Sequence, residues 1–181
     1  KIVRNILDCK FKGTLSIVNP KAEKVDGVTS YTHLAQLPPT DLAIIAISSK
    51  MCPDVISTLA NEKRTKAFII ISAGFSEIGE EGRKLENEIT EIVNKAGASL
   101  IGPNCIGIIT QHFNGVFTTP VPKLSKKGCD FVSGSGAMAV FIIESALPKG
   151  LTFSSVYSVG NSAQIGLEEI LEYWDITYDV A

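Results

Sequence analysis

Apolar, β-branched runs that each end in small or polar residues recur six times along this chain. They are Ser16-Ile17-Val18-Asn19-Pro20-Lys21, Ala43-Ile44-Ile45-Ala46-Ile47-Ser48-Ser49, Phe68-Ile69-Ile70-Ile71-Ser72-Ala73-Gly74-Phe75, Leu100-Ile101-Gly102-Pro103-Asn104, Phe131-Val132-Ser133-Gly134-Ser135-Gly136 and Val156-Tyr157-Ser158-Val159-Gly160-Asn161. Near-continuous apolar strands belong to parallel sheets covered on both faces. Ligands of such sheets lie outside the carboxyl ends of the strands. The pattern predicts an α/β fold whose chemistry sits in the small-residue tracts.

Between the runs the period changes to that of helices. Ile2, Val3, Ile6 and Leu7 form one stripe in a helix over Lys1 to Cys9, which Gly13 closes. A βαβ unit ordinarily opens with a strand and turn ahead of its helix. Neither is present here, so the reading expects a domain lacking its first strand. Asp26-Gly27 and the Thr, Ser and Tyr residues after it read as a loop, and Pro38-Pro39-Thr40-Asp41 breaks the chain before the second run. Ser49 is placed to cap a helix with Pro53 in its first turn and Val55, Ile56 and Leu59 buried. Leu85, Ile89, Ile92, Val93 and Ala96 define a helix from Gly79 to Ala96, with Gly97 at its C′ position. Its acidic residues Glu77, Glu80, Glu81, Glu86, Glu88 and Glu91 read as a solvated face.

Residues 113–128 lose periodicity and carry Pro120 and Pro122, which places a domain boundary near 120–127 and divides the chain into 1–122 and 123–181. The second part reads strand (129–133), helix (136–147), strand (153–159), helix (162–174). Asn161 or Ser162 would cap the last helix, with Leu167, Ile170, Leu171 and Trp174 as its stripe. Two strands and two helices are few for such a domain, so this part is expected to be cut short as well.

Composition narrows the function. A net charge of −2 gives no basic stripe for a nucleic acid. No apolar stretch nears the roughly 20 residues of a membrane span. Cys9, Cys52, Cys105 and Cys129 are widely spaced without Cys-x-x-Cys, so neither a metal site nor disulfides are expected, and reduced cytoplasmic thiols are. Cys105 alone lies in a ligand-facing turn, where a thiol could react. No Gly-x-Gly-x-x-Gly fingerprint supports a nicotinamide dehydrogenase, and no phosphate-loop motif is present. A hydrolase elbow fails because Phe131 stands where its first glycine belongs. A triad would also need a histidine; His33 sits in a loop and His112 after a strand.

Four tracts offer binding chemistry. Ser133-Gly134-Ser135-Gly136-Ala137 puts small residues between a strand and a helix, where exposed N–H groups and the helix dipole favour an anion. Read alone, the same turn serves equally as a connector. Gly102-Pro103-Asn104 joins a rigid turn to an amide that donates and accepts. Ser72-Ala73-Gly74 leaves room for a ligand to approach backbone. Lys21 is a compact cation at a strand end.

Taken in order, Val18-Asn19-Pro20-Lys21, Ile70-Ile71-Ser72-Ala73-Gly74-Phe75-Ser76-Glu77, Leu100-Ile101-Gly102-Pro103-Asn104-Cys105-Ile106-Gly107, Ser133-x-Ser135-Gly136-Ala137 and Val159-Gly160-Asn161 closely resemble the NDP-forming acyl-CoA synthetases, the ADP-forming acetate–CoA ligases among them. Succinyl-CoA synthetase α subunits are more distant relatives. The resemblance implies a Rossmann-like CoA-binding domain followed by the start of a flavodoxin-like, succinyl-CoA-synthetase-type domain. It implies the reaction acid + CoA + ATP ⇌ acyl-CoA + ADP + phosphate, through an acyl phosphate and a phosphohistidine. By similarity Asn19, Pro20, Lys21, Ala46, Ile47, Ser48, Ser72, Ala73, Gly74 and Pro103 face coenzyme A. Asn104, Ser135, Gly136 and Ala137 face the acyl phosphate or phosphohistidine. ATP or ADP with Mg belongs to an ATP-grasp domain or β subunit, the acid is a small molecule, and the assembly is an oligomer in the cytoplasm. The family's Ser-Gln-Ser-Gly is Ser133-Gly134-Ser135-Gly136 here, and its phosphorylated histidine is expected beyond residue 181. This segment is thus expected to bind without turning over. Two other readings share the motifs: the synthetase-like regulatory module of a protein lysine acetyltransferase, and a non-catalytic CoA-binding protein.

Overall fold

The computed structural model describes residues 1–178. The runs at 43–47, 68–71 and 100–101 become β4 (Leu42–Ile45), β5 (Ala67–Ile70) and β6 (Ser99–Ile101), parallel and in that order. Phe68, Ile70, Ile45 and Leu100 point to one face. They pack there with Ile56 and Leu59 of α2 (Cys52–Glu62) and Ile89 and Val93 of α3 (Glu80–Lys95). Phe68, Ile70, Ile56, Ile89, Val93 and Leu100 are essentially inaccessible to water. Each such side chain contributes roughly 1.5–3 kcal/mol of transfer free energy, so this layer is the rigid platform of the molecule. Gly97 ends α3 with φ +58°. Ser49 does not cap α2: a 3-10 turn, Ser49–Met51, intervenes and leaves Met51 at the cap, with no side-chain bond.

Residues 14–110 do not form a single parallel sheet. β1 (Ile17–Val18) pairs in parallel with β3 (Val28–Tyr31), which also pairs antiparallel with β2 (Lys24–Val25). The expected loop at Asp26-Gly27 is therefore a hairpin turn, with φ +49° and +87° at its two residues. Val18 and Tyr31 still lean on the main core beside Ile47.

The other sheet runs β8-β7-β10-β9. β9 (Cys129–Ser133) and β10 (Phe153–Ser158) are parallel, as their apolar runs suggest. β7 (Gly107–Thr110) and β8 (Phe113–Val116) form an antiparallel hairpin that docks on β10 through Ile109↔Val156 and Ile108↔Tyr157. The stretch 113–128, without helical or strand period in the sequence, thus supplies β8, an edge strand of this sheet. Glycine makes it possible: a Cβ on Gly107 would sit 1.9 Å from the Gly115 carbonyl, and one on Gly115 3.2 Å from Ile44 Cδ1. Where helices were expected on both faces of β4-β5-β6, Ile44 meets β8 instead. α1 (Ile2–Asp8) is tied to that region by Asn5 Nδ2, which donates to the carbonyls of Val116 (2.7 Å) and Thr118 (3.1 Å).

α4 (Gly136–Ala146) begins where the sequence places it. α5 (Leu167–Tyr178) begins five residues later than expected, because 161–166 are committed elsewhere. Asn161, Ala163 and Ile165 donate their backbone N–H groups to the carbonyls of Pro103 (2.9 Å), Gly102 (3.0 Å) and Leu100 (3.3 Å). Asn161 and Ser162 therefore do not cap α5; Glu169 accepts from the Gly166 N–H at its start (2.8 Å). Of the expected stripe Ile170 is buried, while Leu167 and Leu171 are exposed. No described helix is long and apolar enough to cross a membrane.

Candidate functional site

Hydrogen bonds tie the carboxyl ends of β4, β5 and β6 to one another. The Ile47 N–H donates to Ser72 Oγ at 3.0 Å, and the Asn104 N–H donates to the Ser72 carbonyl at 2.9 Å. Gly74 has φ +103°, and a Cβ there would meet Ser49 Oγ at 2.6 Å. Gly102, also at φ +103°, passes so close to the β5 end that a Cβ would lie 2.5 Å from the Ile70 carbonyl. Only glycine combines that conformation with that approach. Ala46, Ser48, Ala73 and Asn104 are exposed along this edge; Ile47, Ser72 and Gly74 are half-buried; Pro103 is buried.

The loop after β10 lies across the same edge. Ile165 forms a parallel bridge to Ile101, continuing the sheet past β6. The Gln164 side chain accepts from the Leu100 N–H (2.6 Å) and donates to Asn94 Oδ1 (2.6 Å). Gly160, at φ +57°, sits so tightly that a Cβ would be 2.1 Å from the Pro103 carbonyl. Asn161 is the hub of this loop. Its Oδ1 accepts from Asn104 Nδ2 (3.3 Å), and its Nδ2 donates to Glu77 Oε2 (2.6 Å), Glu86 Oε2 (2.8 Å) and Ser76 Oγ (3.2 Å). Glu77 also accepts from the N–H groups of Gly74 and Phe75. Partial burial pushes its carboxyl up. The Asn161 amide and these backbone N–H groups outweigh that push and hold it below the ordinary value of 4.5.

The turn at 133–137 organises itself. Ser133 Oγ accepts from the Ser135 N–H (3.1 Å) and donates to the Ser135 carbonyl (3.0 Å), and Ser135 Oγ caps α4 by accepting from the Met138 N–H (3.3 Å). The first free amides of α4, on Gly136 and Ala137, keep no partner among the described residues. Gly136 rests on Ile106, whose Cγ2 would lie 2.6 Å from a Cβ there, and Gly134 faces the Gly160 carbonyl. The turn therefore adjoins the Gly102–Ile106 loop.

Asn19, Pro20 and Lys21 stand apart. Asn19 Oδ1 accepts from the Lys21 N–H (2.9 Å) and the Asn19 N–H donates to the Tyr31 carbonyl at the end of β3 (2.9 Å), but among the described residues no hydrogen bond joins the three to the ends of β4, β5 and β6. Lys21 is exposed and has no ion-pair partner among the described residues. Cys105 is not poised to react: burial pushes its thiol up to about 11, and its Sγ donates to the Ile70 carbonyl (3.3 Å). A cleft of about 400 Å³ lined by Asn5, Asp8, Asn114, Thr119, Val121, Pro122 and Lys123 includes none of these strand-end residues.

Asn161, Glu77, Glu86 and Gln164 are not among the residues predicted to line the site, although Asn161 and Glu77 stand in the tracts that carry the resemblance. Asn161 carried a usable signal, an amide right after a strand-end glycine, as at Asn104. Its reading as a helix cap hid that.

A parallel α/β platform whose strand-end loops meet along one edge is the arrangement in which open α/β sheets place their ligands. The family model described as "CoA binding domain" matches residues 1–111, and the chain belongs to that family. The model "Succinyl-CoA ligase like flavodoxin domain" matches residues 126–180. The alpha subunit of acetate–CoA ligase [ADP-forming] II of Pyrococcus furiosus is 38% identical over 89% of this chain and 35% of its own length. Acetate–CoA ligase [ADP-forming] I of Archaeoglobus fulgidus is 36% identical over 95% of this chain and 25% of its own. Among solved structures, the dinucleotide forming acetyl-coenzyme A synthetase 1 of Ca. Korarchaeum cryptofilum superposes with a TM-score of 0.87 at 29% identity, covering 96% of this chain and 38% of that one. The chain thus spans about a third or less of the length of these curated relatives.

Proposed function

We propose that this chain is the CoA-binding and phosphoryl-facing part of an ADP-forming acid–thiol ligase that interconverts acid, CoA and ATP with acyl-CoA, ADP and phosphate. One observation carries the reading: the loop after β10 bonds onto the end of β6, so the two family segments present their small-residue turns along a shared edge. The boundary between the segments is placed at 122/123.

In this reading the exposed strand ends at Ala46–Ser48 and Ser72–Gly74 receive coenzyme A, with Pro103 supporting their floor. Asn19 shapes the turn that presents Pro20 and the Lys21 ammonium, which pairs with a CoA phosphate. The amides of Gly136 and Ala137, at the positive end of α4, hold the phosphoryl group, and Asn104 orients the acyl phosphate. Ser135 acts by shaping the turn: its N–H donates to Ser133 Oγ and its hydroxyl oxygen accepts from the Met138 N–H at the start of α4. A dianion is thereby held by neutral donors that need no reorganisation as the group transfers. The reacting histidine, the ATP and Mg site and the remaining subunit or domain belong to the length of the relatives that this chain does not span. The enzyme works as an oligomer in the cytoplasm.

Calorimetric and amide-shift titration of the protein carrying this chain with CoA tests the reading. Shifts at 19–21, 46–48 and 72–74 are expected. Lys21→Ala weakens binding by roughly 1–3 kcal/mol, the size of a hydrogen bond to a charged group. No heat and no shifts at these positions would remove the site.

A further inference from the structure

Six glutamates lie between residues 77 and 91, and two of them are not simply solvated. The carboxylates of Glu77 and Glu86 converge on the side-chain amide of Asn161, at 2.6 and 2.8 Å. Each has a second duty on the loop after β5. Glu77 takes the N–H groups of Gly74 and Phe75, and Glu86 takes the Ser76 hydroxyl (2.8 Å) and N–H (3.3 Å). Asn161 in turn grips the loop after β6, through Asn104 Nδ2 on its Oδ1 and its own N–H on the Pro103 carbonyl.

We propose that Glu77 and Glu86 are positioning residues that, through Asn161, lock the loop at 72–76 to the loop at 102–104, so that binding at the first is felt at the second. The inference rests on the proposed function for what the two loops bind: CoA at the first, the acyl phosphate at the second. The lock itself rests on the hydrogen bonds alone.

Charge explains why such a lock can release. Neither carboxylate has a cationic partner among the described residues, so a neutral amide stands between two negative groups. That is a weaker clamp than an ammonium or guanidinium would give. Its strength depends on the extra donors at 74–76. A ligand that moves those donors leaves the two carboxylates to repel each other, and Asn161 loses its hold with them. Side-chain amides share this property with few other groups: Nδ2 and Oδ1 face opposite ways, so Asn161 can hold one loop with each.

The experiment is amide hydrogen exchange and steady-state kinetics on the protein carrying this chain. The variants are Glu77→Ala/Glu86→Ala, Asn161→Ala, Asn161→Asp and the triple alanine variant, with Glu88→Ala as control. The double variant and Asn161→Asp are expected to speed exchange about tenfold or more at 74–76 and also at 104 and 161. They raise KM for CoA and lower kcat, each by about tenfold, whereas a local packing defect at 74–76 moves KM alone. Adding Asn161→Ala to the double variant costs less than a further twofold, because the three groups act as a unit. Glu77→Gln keeps an acceptor oxygen and restores part of the loss. Faster exchange confined to 74–76, fully additive losses, or a change in KM only would overturn the proposal. If the unaltered protein neither binds CoA nor turns over, while both loops still loosen together in the variants, the functional reading fails and the lock stands.

Discussion

The turn after β5 and the turn after β9 are made of the same small residues and end in opposite electrostatic states. After β5, the amides of Gly74 and Phe75 are occupied by the chain's own carboxylate, Glu77. After β9, the two serines satisfy each other and the helix cap, leaving the Gly136 and Ala137 amides at a helix start without an internal partner. An anion approaching Gly74 meets negative charge, whereas one approaching Gly136 meets free donors and the positive end of α4. The difference separates two jobs that look alike in sequence. In the proposed function the β5 turn takes the uncharged parts of the ligand, with Lys21 left to meet phosphate, and the β9 turn takes the phosphoryl group.

The most damaging way to break this contrast is Gly136→Val. A Cβ there would lie 2.6 Å from Ile106 Cγ2, and Ile106 is buried and β-branched, so it has little freedom to turn aside. The valine should displace the turn, cost about 1–3 kcal/mol of stability, and lower turnover by roughly a hundredfold or more, equivalent to about 3 kcal/mol of barrier. Phosphoenzyme yield and turnover of the whole protein check it. Normal values for both would make the turn a plain connector.

Ser135→Ala is a milder probe. It removes the cap bond to the Met138 N–H and leaves the two free amides in place. Denaturant melts should show a loss of about 1 kcal/mol, typical of an N-cap, with turnover reduced tenfold or less. A much larger fall in turnover at nearly unchanged stability would mean that the hydroxyl itself touches the anion.

Acid probes the other turn. Glu77 titrates below its ordinary value of 4.5 in the folded chain, so its contribution to stability is fully present above that value. It is lost as pH falls through the lowered one. Melts of the native protein and Glu77→Gln should differ at pH 6 and converge as the solution is acidified. A difference that stays constant with pH would show that charge plays no part in holding Gly74 and Phe75.

Much of this was legible in the sequence because burial writes itself into β-branched runs. β4, β5, β6, β9 and β10 each overlap one of the predicted tracts, and their parallel pairing follows. The hairpin β7–β8 was only half legible: a strand was read ahead of His112, but its partner β8 was not. Its strands are short, and Asn114-Gly115, which reads as a turn, lies inside a strand because Gly115 must pass Phe113 and Ile44 at close range. Asp26-Gly27 was read as a loop and not as a hairpin, because its flanks are too short and polar to announce strands. Of the site, the strand-end tracts could be found from pattern alone. The Glu77–Asn161–Glu86 cluster could not. It joins residues 75 or more apart in sequence, and an acidic helix face looks the same whether or not an amide from elsewhere docks on it.

The smallest effect belongs to Gly134→Gln, which supplies the side chain that the resembled family carries at this place in the turn. Gly134 and Gly136 are two residues apart and both conspicuous in sequence, but only one is sterically obligatory. A Cβ on Gly134 would meet nothing nearer than the Gly160 carbonyl and Leu167 Cδ1, both at 3.8 Å, which is ordinary contact. The residue is exposed, and its φ lies outside the left-handed range that favours glycine. Stability should therefore change by no more than about 0.5 kcal/mol, as for surface substitutions generally. The Gly136 and Ala137 amides stay where they are, so phosphoenzyme yield should hold within about twofold. A loss beyond about 2 kcal/mol in a melt would show that the turn tolerates no side chain at either glycine. The contrast between a glycine needed for packing against Ile106 and one that merely leaves space would then fall.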